Sequence, residues 1–420
     1  MARFRHIVRN RNFSLLWISQ IISQFGDRLN QMALLALVYR FAPGSTTQIA
    51  KLMSFAIVPV FLVGPMAGVY VDRWDRRSTM VVADFVRAAL VFSIAFYFMR
   101  KDILWPVYAI VCLAFCVSRF YVPAKMSIIP EIVKGDDLLL ANSLVNTTGM
   151  VAAMMGFGLG GILVSWVGAK GGFVIDAVTF LIAGTLIFCV KNGGAPETVR
   201  EGVSAVGKEI LAVVRKSVLQ EIKDAVVFLA NQRQLRSCFG ILFFLWAALG
   251  AVYVVSIVFI QQAFGHATRE IGLLIVGLGV GLFIGSLVYG RLGHQKHSFK
   301  MIFACVFAGG VVLLTFVSAV ARYPNLMLAI ALTFILGLVV APTMVISQTL
   351  VQELTESSMR GRLFSSLEIV VHLAFLLSML IAAPLADRLG AAAVLRTVSF
   401  CLMAMGIGGF FLRYDQTRRA

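Results

Sequence analysis

Apolar runs long enough to cross a lipid bilayer follow one another along nearly the whole of this 420-residue chain, and no other feature narrows its fold so far. A helix rises about 1.5 Å per residue, so about 20 apolar residues span the roughly 30 Å hydrocarbon layer. Such runs fall at 13–41, 47–71, 80–99, 103–122, 141–167 and 172–190, and again at 238–264, 271–292, 299–321, 326–347, 363–385 and 391–412. They are continuously apolar rather than alternating, which selects helices over a β-barrel; either must satisfy its backbone internally. The reading is an all-α integral membrane protein with twelve transmembrane helices. The first run is too long for a signal peptide, carries Asp27 at its middle and is followed by no small-residue cleavage pattern.

Charge supports the same reading. The formal net charge is +17, yet Lys and Arg are not spread as a nucleic-acid surface would need. With both termini cytoplasmic, the tails and even-numbered loops carry 25 of the 37 basic residues, the opposite side 9, and Arg28, Arg87 and Arg119 lie inside spans. That asymmetry is the positive-inside rule, and it places the chain in a bacterial inner membrane with its basic loops against anionic lipid. The six cysteines fall in or beside apolar spans with no CxxC pair, so neither a metal site nor any cofactor is expected.

One long polar stretch divides the chain near its middle, giving a six-helix bundle over 1–190, a linker over 191–237 and a second six-helix bundle over 238–420. From Val203, apolar residues at Val206, Ile210, Val214, Val218, Ile222, Ala225 and Leu229 recur every three to four positions, with Lys208, Arg215, Lys216 and Lys223 between them. This predicts an amphipathic helix on the cytoplasmic surface, a tether or a lipid-sensing element. The halves echo each other weakly. Gly64 and Gly68 are matched by Gly281 and Gly285 at an offset of 217, and Pro123 by Pro342 at 219. Two repeats of six around a central site are what a secondary transporter requires, with spans one, four, seven and ten lining the cavity and three, six, nine and twelve facing lipid.

At the junction of the second and third runs stand Gly68, Asp72, Arg73, Arg76 and Arg77. A Gly permits close helix approach, while an acid and basic residues on a short cytoplasmic loop can bond to another helix end and latch one conformation. This spacing resembles motif A of the major facilitator superfamily, except that Asp75 stands where the motif usually has Gly. The resemblance extends through Asn12, Phe13, Trp17, Gln20, Gly26 and Asp27, through Gly64-Pro65, Pro123-Ala124 and Pro130-Glu131, to Asp176 with Thr179. Together these resemble the enterobactin-exporter and macrolide-efflux branch; Phe25, Gly26 and Asp27 with Tyr121, Pro123 and Lys125 are also similar to lysophospholipid transporters. The resemblance implies a major facilitator fold, no enzymatic activity, a monomer, and export by alternating access of a small amphipathic compound, a drug or siderophore, with lysophospholipid transport across the inner membrane as the alternative. Twelve spans, a polar face on the first of them and no nucleotide-binding motif argue for coupling to a gradient, read as proton entry with sodium as the other ion. A membrane scaffold or sensor is the rival outside transport.

Polar residues inside spans are costly and therefore mark candidate sites. In the first span Ser19, Gln20, Ser23, Gln24, Asp27, Asn30 and Gln31 recur at three to four residues, drawing one polar stripe that lipid would not tolerate. It is expected to line a cavity, with Asp27 past the midplane and Arg28 beside it. On span eleven Glu368 and His372 share a face at i, i+4, a carboxylate and an imidazole suited to carrying protons or to bonding each other. Asp84, Arg87 and Arg119 are expected to pair beside the Asp72 loop and help close an inner gate. Asp176 is read as either pore-lining or a helix cap. Small residues at Gly149, Ala153, Gly156 and Gly160, and at Gly277, Gly281 and Gly285, predict close helix packing.

Overall fold

The computed structural model describes residues 7–71, 74–98, 104–133, 137–191, 233–266, 268–292, 299–353 and 360–417. Every regular element among them is a helix. The expected surface helix after Val203 lies outside the described residues, as do Asp72 and Arg73 of the loop between the second and third runs.

The first half contains α1 (Arg11–Phe41), α2 (Thr46–Leu62), α3 (Gly64–Val71), α4 (Arg76–Ser93), α5 (Trp105–Ile132) and α6 (Asp137–Phe188). The second half contains α7 (Arg233–Phe264), α8 (Arg269–Leu292), α9 (Phe299–Arg322), α10 (Leu326–Glu353), α11 (Arg360–Leu389) and α12 (Ala391–Thr417). The second expected span is broken at Val63, between Pro59 within α2 and Pro65 in the first turn of α3; proline removes a backbone donor and crowds the preceding turn. The fifth and sixth expected spans together form α6. The chain turns between them at Gly168, whose φ of 72° lies in the left-handed region where glycine carries no penalty. Twelve membrane-crossing segments result, and among the described residues nine helices are by length and composition apolar enough to cross a membrane.

Helix ends depart from the expected boundaries in one place that matters for function. The apolar run of the fourth span ends at Val122, which would leave Lys125 in a cytoplasmic loop. Instead α5 continues through Pro123 and Pro130 to Ile132, so Lys125 is a helix residue. Asp75, the departure from motif A, is the N-cap of α4: its carboxylate accepts from the Ser78 amide at 2.8 Å.

Contacts divide the chain into two compact units, one of residues 1–41 with 51–220 and the other of 42–50 with 221–420. In the first unit α1 packs along both halves of α6, α3 against α5, and α4 against α5 and α6. In the second, α7 packs against α11 and α12, α8 against α10, and α9 against α10 and α12. These are the same pairings: first span with fifth and sixth, second with fourth, third with fourth and sixth. The small-residue stripes sit at these seams. A Cβ on Gly281 would stand 2.1 Å from the Phe334 carbonyl oxygen on α10, and one on Gly156 3.0 Å from the Phe25 carbonyl oxygen on α1, so the backbones meet where only glycine fits. In the first unit Phe13, Leu16, Val71, Met80, Ile128, Ala141 and Ile187 form a buried apolar cluster.

The segment 42–50 belongs to the second unit although it precedes most of α2. Its anchor is Asp387 on α11, whose carboxylate accepts from the Thr46 amide at 2.6 Å, the Thr47 amide at 3.1 Å and the Ser45 hydroxyl at 3.4 Å. An acid from the far end of the sequence thus caps the N-terminus of α2.

Candidate functional site

The polar stripe of α1 opens onto a cavity of about 260 Å³ within the first unit. Gln20, Ser23, Gln24, Asp27, Asn30 and Gln31 all line it, while Ser19 turns back to the Leu16 carbonyl at 2.7 Å. A 3.6-residue period carries these side chains down one face of a single rod, so the spacing of polar residues in the sequence is enough to draw the stripe. Gly26 lets that rod approach α6: a Cβ there would meet the Thr179 hydroxyl at 1.9 Å and an Asp176 carboxylate oxygen at 2.5 Å.

The Asp27 side chain is 41% exposed, and among the described residues the cation within ion-pair distance is Arg87 of α4 at 3.9 Å. Arg28, its neighbour in sequence, also lines the cavity, donating to Gln31 Oε1 at 3.3 Å with its guanidinium 5.2 Å from the centre of the Phe157 ring. Arg87 in turn donates to Asp84, whose side chain is fully buried, and lies between the rings of Tyr121 at 4.6 Å and Phe180 at 4.3 Å. Removing an ionised pair from water is expensive unless each charge is matched, and two acids plus two aromatic faces around one guanidinium supply that match. The pairing therefore joins Asp27 to Asp84 and Arg87, a grouping the sequence does not indicate. Arg119 sits on the α5 wall of the cavity, with Ser118, Tyr121 and Lys125.

Lys125 and Tyr121 are the site residues that sequence reasoning misses. Their signal is present in the four-residue spacing of Tyr121 and Lys125, but a helix end placed at Val122 hides it. Gln20 donates to the Tyr121 hydroxyl and so ties α1 to α5 across the cavity floor. The expectation that spans three and six simply face lipid is corrected. Arg87 and Val91 of the third span and Phe180 of the sixth reach the cavity, whereas Val82, Phe85 and Phe92, and Val178, Leu181 and Ile182, are exposed elsewhere on those helices. Asp176 is neither pore-lining nor a cap. It is fully buried inside α6 against α1, where the Thr179 hydroxyl donates to it at 3.2 Å.

The basic residues after the second span bind helix ends of their own unit. Arg76 pairs with Glu131 at the end of α5. Arg77 donates to the Ile187 carbonyl at 3.3 Å and to the Phe188 carbonyl, with its guanidinium over the Phe188 ring, so it caps the C-terminus of α6 where the helix dipole favours a cation. Gly68 lies in α3. On α11, His372 stacks on Trp246 of α7 at 6.2 Å between ring centres, and Glu368 lies one turn away with its side chain outside the described ones. Among the described residues no group of three or more His, Cys, Asp and Glu side chains could hold a metal ion.

Twelve apolar crossings in two similarly packed sets of six, with ionisable residues gathered in a cavity of one set, define a secondary transporter. The family model of the Major Facilitator Superfamily matches residues 16–379, and the chain belongs to that superfamily. It is thus a multi-pass membrane transporter of small molecules, broadly related to several bacterial families. It is 25% identical to the MFS-type transporter YkuC of Bacillus subtilis (strain 168) over 80% of this chain and 76% of that one. It is 22% identical to macrolide efflux protein A of Streptococcus pyogenes over 90% of each. The crystal structure of the nucleoside transporter NupG shares the fold with a TM-score of 0.72 at 10% identity, over 95% of this chain and 98% of that one.

Proposed function

We propose that this chain exports a small amphipathic compound across the bacterial inner membrane by alternating access, driven by proton entry, with both termini cytoplasmic. The observation that carries the reading is Asp27: an intramembrane carboxylate on a cavity wall, 41% exposed, at the edge of ion-pair distance from a guanidinium that a second acid already holds. Coupling requires a group whose proton occupancy changes between states. An acid that trades a cation for water, or for substrate, as the helices move meets that requirement; an acid whose side chain is sealed from the cavity, as Asp84 is, does not. Resemblance to macrolide efflux protein A supports export of an amphipathic compound. Asp72 and Arg73 stand just before Arg76 and Arg77 in the sequence, which bind the ends of α5 and α6, and we assign this stretch the latch on the cytoplasmic side.

The test is reconstitution in proteoliposomes loaded with a pH-sensitive dye. Addition of a transported member of an amphipathic panel (a macrolide, 2-naphthoate, ethidium) should move protons, and an acid lumen should drive its accumulation until a protonophore abolishes both. Accumulation that follows a sodium gradient and ignores pH would transfer the coupling to sodium.

A further inference from the structure

We propose that the substrate carries an anionic group, a carboxylate, sulfonate or phosphate, seated by Arg28 and Lys125 in the first-unit cavity. The inference rests on the transport reading and names the substrate class of the same site. Its ground is the charge on the cavity wall. Four basic side chains, Arg28, Arg87, Arg119 and Lys125, line the cavity, against the single acid Asp27. Arg87 is already held by Asp84, and counting that buried acid as well leaves the wall with more positive than negative charge. Arg28 lies beside Asp27 on α1 and Lys125 on α5, and all three line the same cavity. Among the described residues neither cation makes an ion pair at 4.0 Å or less.

Cations gathered inside an apolar bundle repel one another and lose hydration, so such a set persists where an anion completes it. A guanidinium and an ammonium supplied by two helices to one cavity wall offer a fork and a point charge, the donors that suit an oxyanion. Leu34, Phe115 and Phe180 supply apolar wall beside them, and about 260 Å³ has room for a one- or two-ring organic anion. A cationic amphiphile would meet Asp27 alone among the lining charges. The arrangement also joins substrate to coupling, since an anion bound to Arg28 and Lys125 withdraws from Asp27 part of the positive field around it.

The experiment is equilibrium calorimetry on the full chain in nanodiscs of zwitterionic lipid, which needs no gradient and so is separable from failure of the proton-coupled reading. Three probes share one ring system: 2-naphthoate, its methyl ester and 2-naphthylmethylammonium. Binding of 2-naphthoate at least tenfold tighter than either partner is expected. Lys125→Gln and Arg28→Gln should each weaken it about tenfold, the scale of one charge-assisted hydrogen bond, and leave the ester within twofold; Lys125→Arg should retain most of it. Lysophosphatidylglycerol, which presents its phosphate on a lipid, separates the two sources of the anion: stronger competition than 2-naphthoate shows itself marks the natural ligand as a lipid headgroup, weaker competition as a soluble organic anion. Preference for the ammonium probe, equal affinity for acid and ester, no 2-naphthoate binding at 10 mM, or binding indifferent to both substitutions in protein that elutes as wild type would each overturn the proposal.

Discussion

Replacing Asp387 with Ala removes the acid that holds the N-terminus of α2, and the consequence can be sized. Two backbone donors, Thr46 at 2.6 Å and Thr47 at 3.1 Å, and the Ser45 hydroxyl at 3.4 Å lose their acceptor. The first four amides of a helix have no intrahelical partner, so both are stranded unless water replaces the carboxylate. N-cap deletions cost about 0.5–2 kcal/mol. Thr46 is buried but Asp387 itself is exposed, so water recovers part of the loss and about 1 kcal/mol is expected, roughly a fivefold change in local opening. Hydrogen exchange read on peptides covering 42–50 measures that opening directly. Exchange should quicken about fivefold in Asp387→Ala and less in Asp387→Asn, which keeps one acceptor oxygen but loses the charge that opposes the helix dipole. Exchange unchanged within twofold in Asp387→Ala would mean that the contact contributes nothing and that 42–50 is held by other packing.

Other perturbations address the packing and the latch. Arg87→Gln strands the buried acid Asp84 and should cost about 3 kcal/mol or more, read as a fall in the thermal unfolding midpoint of purified protein, whereas Arg87→Met with Asp84→Leu should recover much of it. An undiminished midpoint in the single variant would show that Asp84 does not depend on Arg87. Gly281→Val drives a side chain into the Phe334 carbonyl and should abolish folded yield, while Gly290→Ala on the same helix, with nothing within 4 Å of an added Cβ, should be silent. Asp72→Asn should raise cysteine labelling in the inward-facing cavity and lower it on the outer side with folding intact; an unchanged labelling pattern would reduce Asp72 to a topology marker.

The helices are legible in the sequence because a membrane leaves few alternatives: backbone polar groups must pair internally, so length and apolarity alone locate the crossings. The α1 stripe is legible for the related reason that a polar face on one rod must turn from lipid. Boundaries at prolines are less so. Pro123 reads as a stop, yet a helix that loses one backbone bond inside a packed bundle is held by its neighbours, and α5 runs on to place Lys125 in the cavity. Partners across helices are the least legible. Arg87 and Asp84 lie one turn apart on α4 and can be paired from spacing, but nothing in the order of residues says that Asp27, far earlier in the chain, approaches the same guanidinium. The attachment of 42–50 to Asp387 is of that kind as well, since its hydrogen bonds join residues 340 and 341 positions apart.

We propose the Asp27 carboxylate as the carrier of the proton that drives transport. Proteoliposomes bearing Asp27→Asn, compared with wild type under an imposed acid-lumen gradient and then with no gradient, separate uphill movement from exchange at equilibrium. Asp27→Asn should lose accumulation and its pH dependence yet still exchange labelled for unlabelled substrate, with Glu368→Gln showing a milder loss and a shifted pH optimum. Accumulation at the wild-type rate with the wild-type pH response in Asp27→Asn would contradict it, and would leave Asp27 as a structural partner of Arg87.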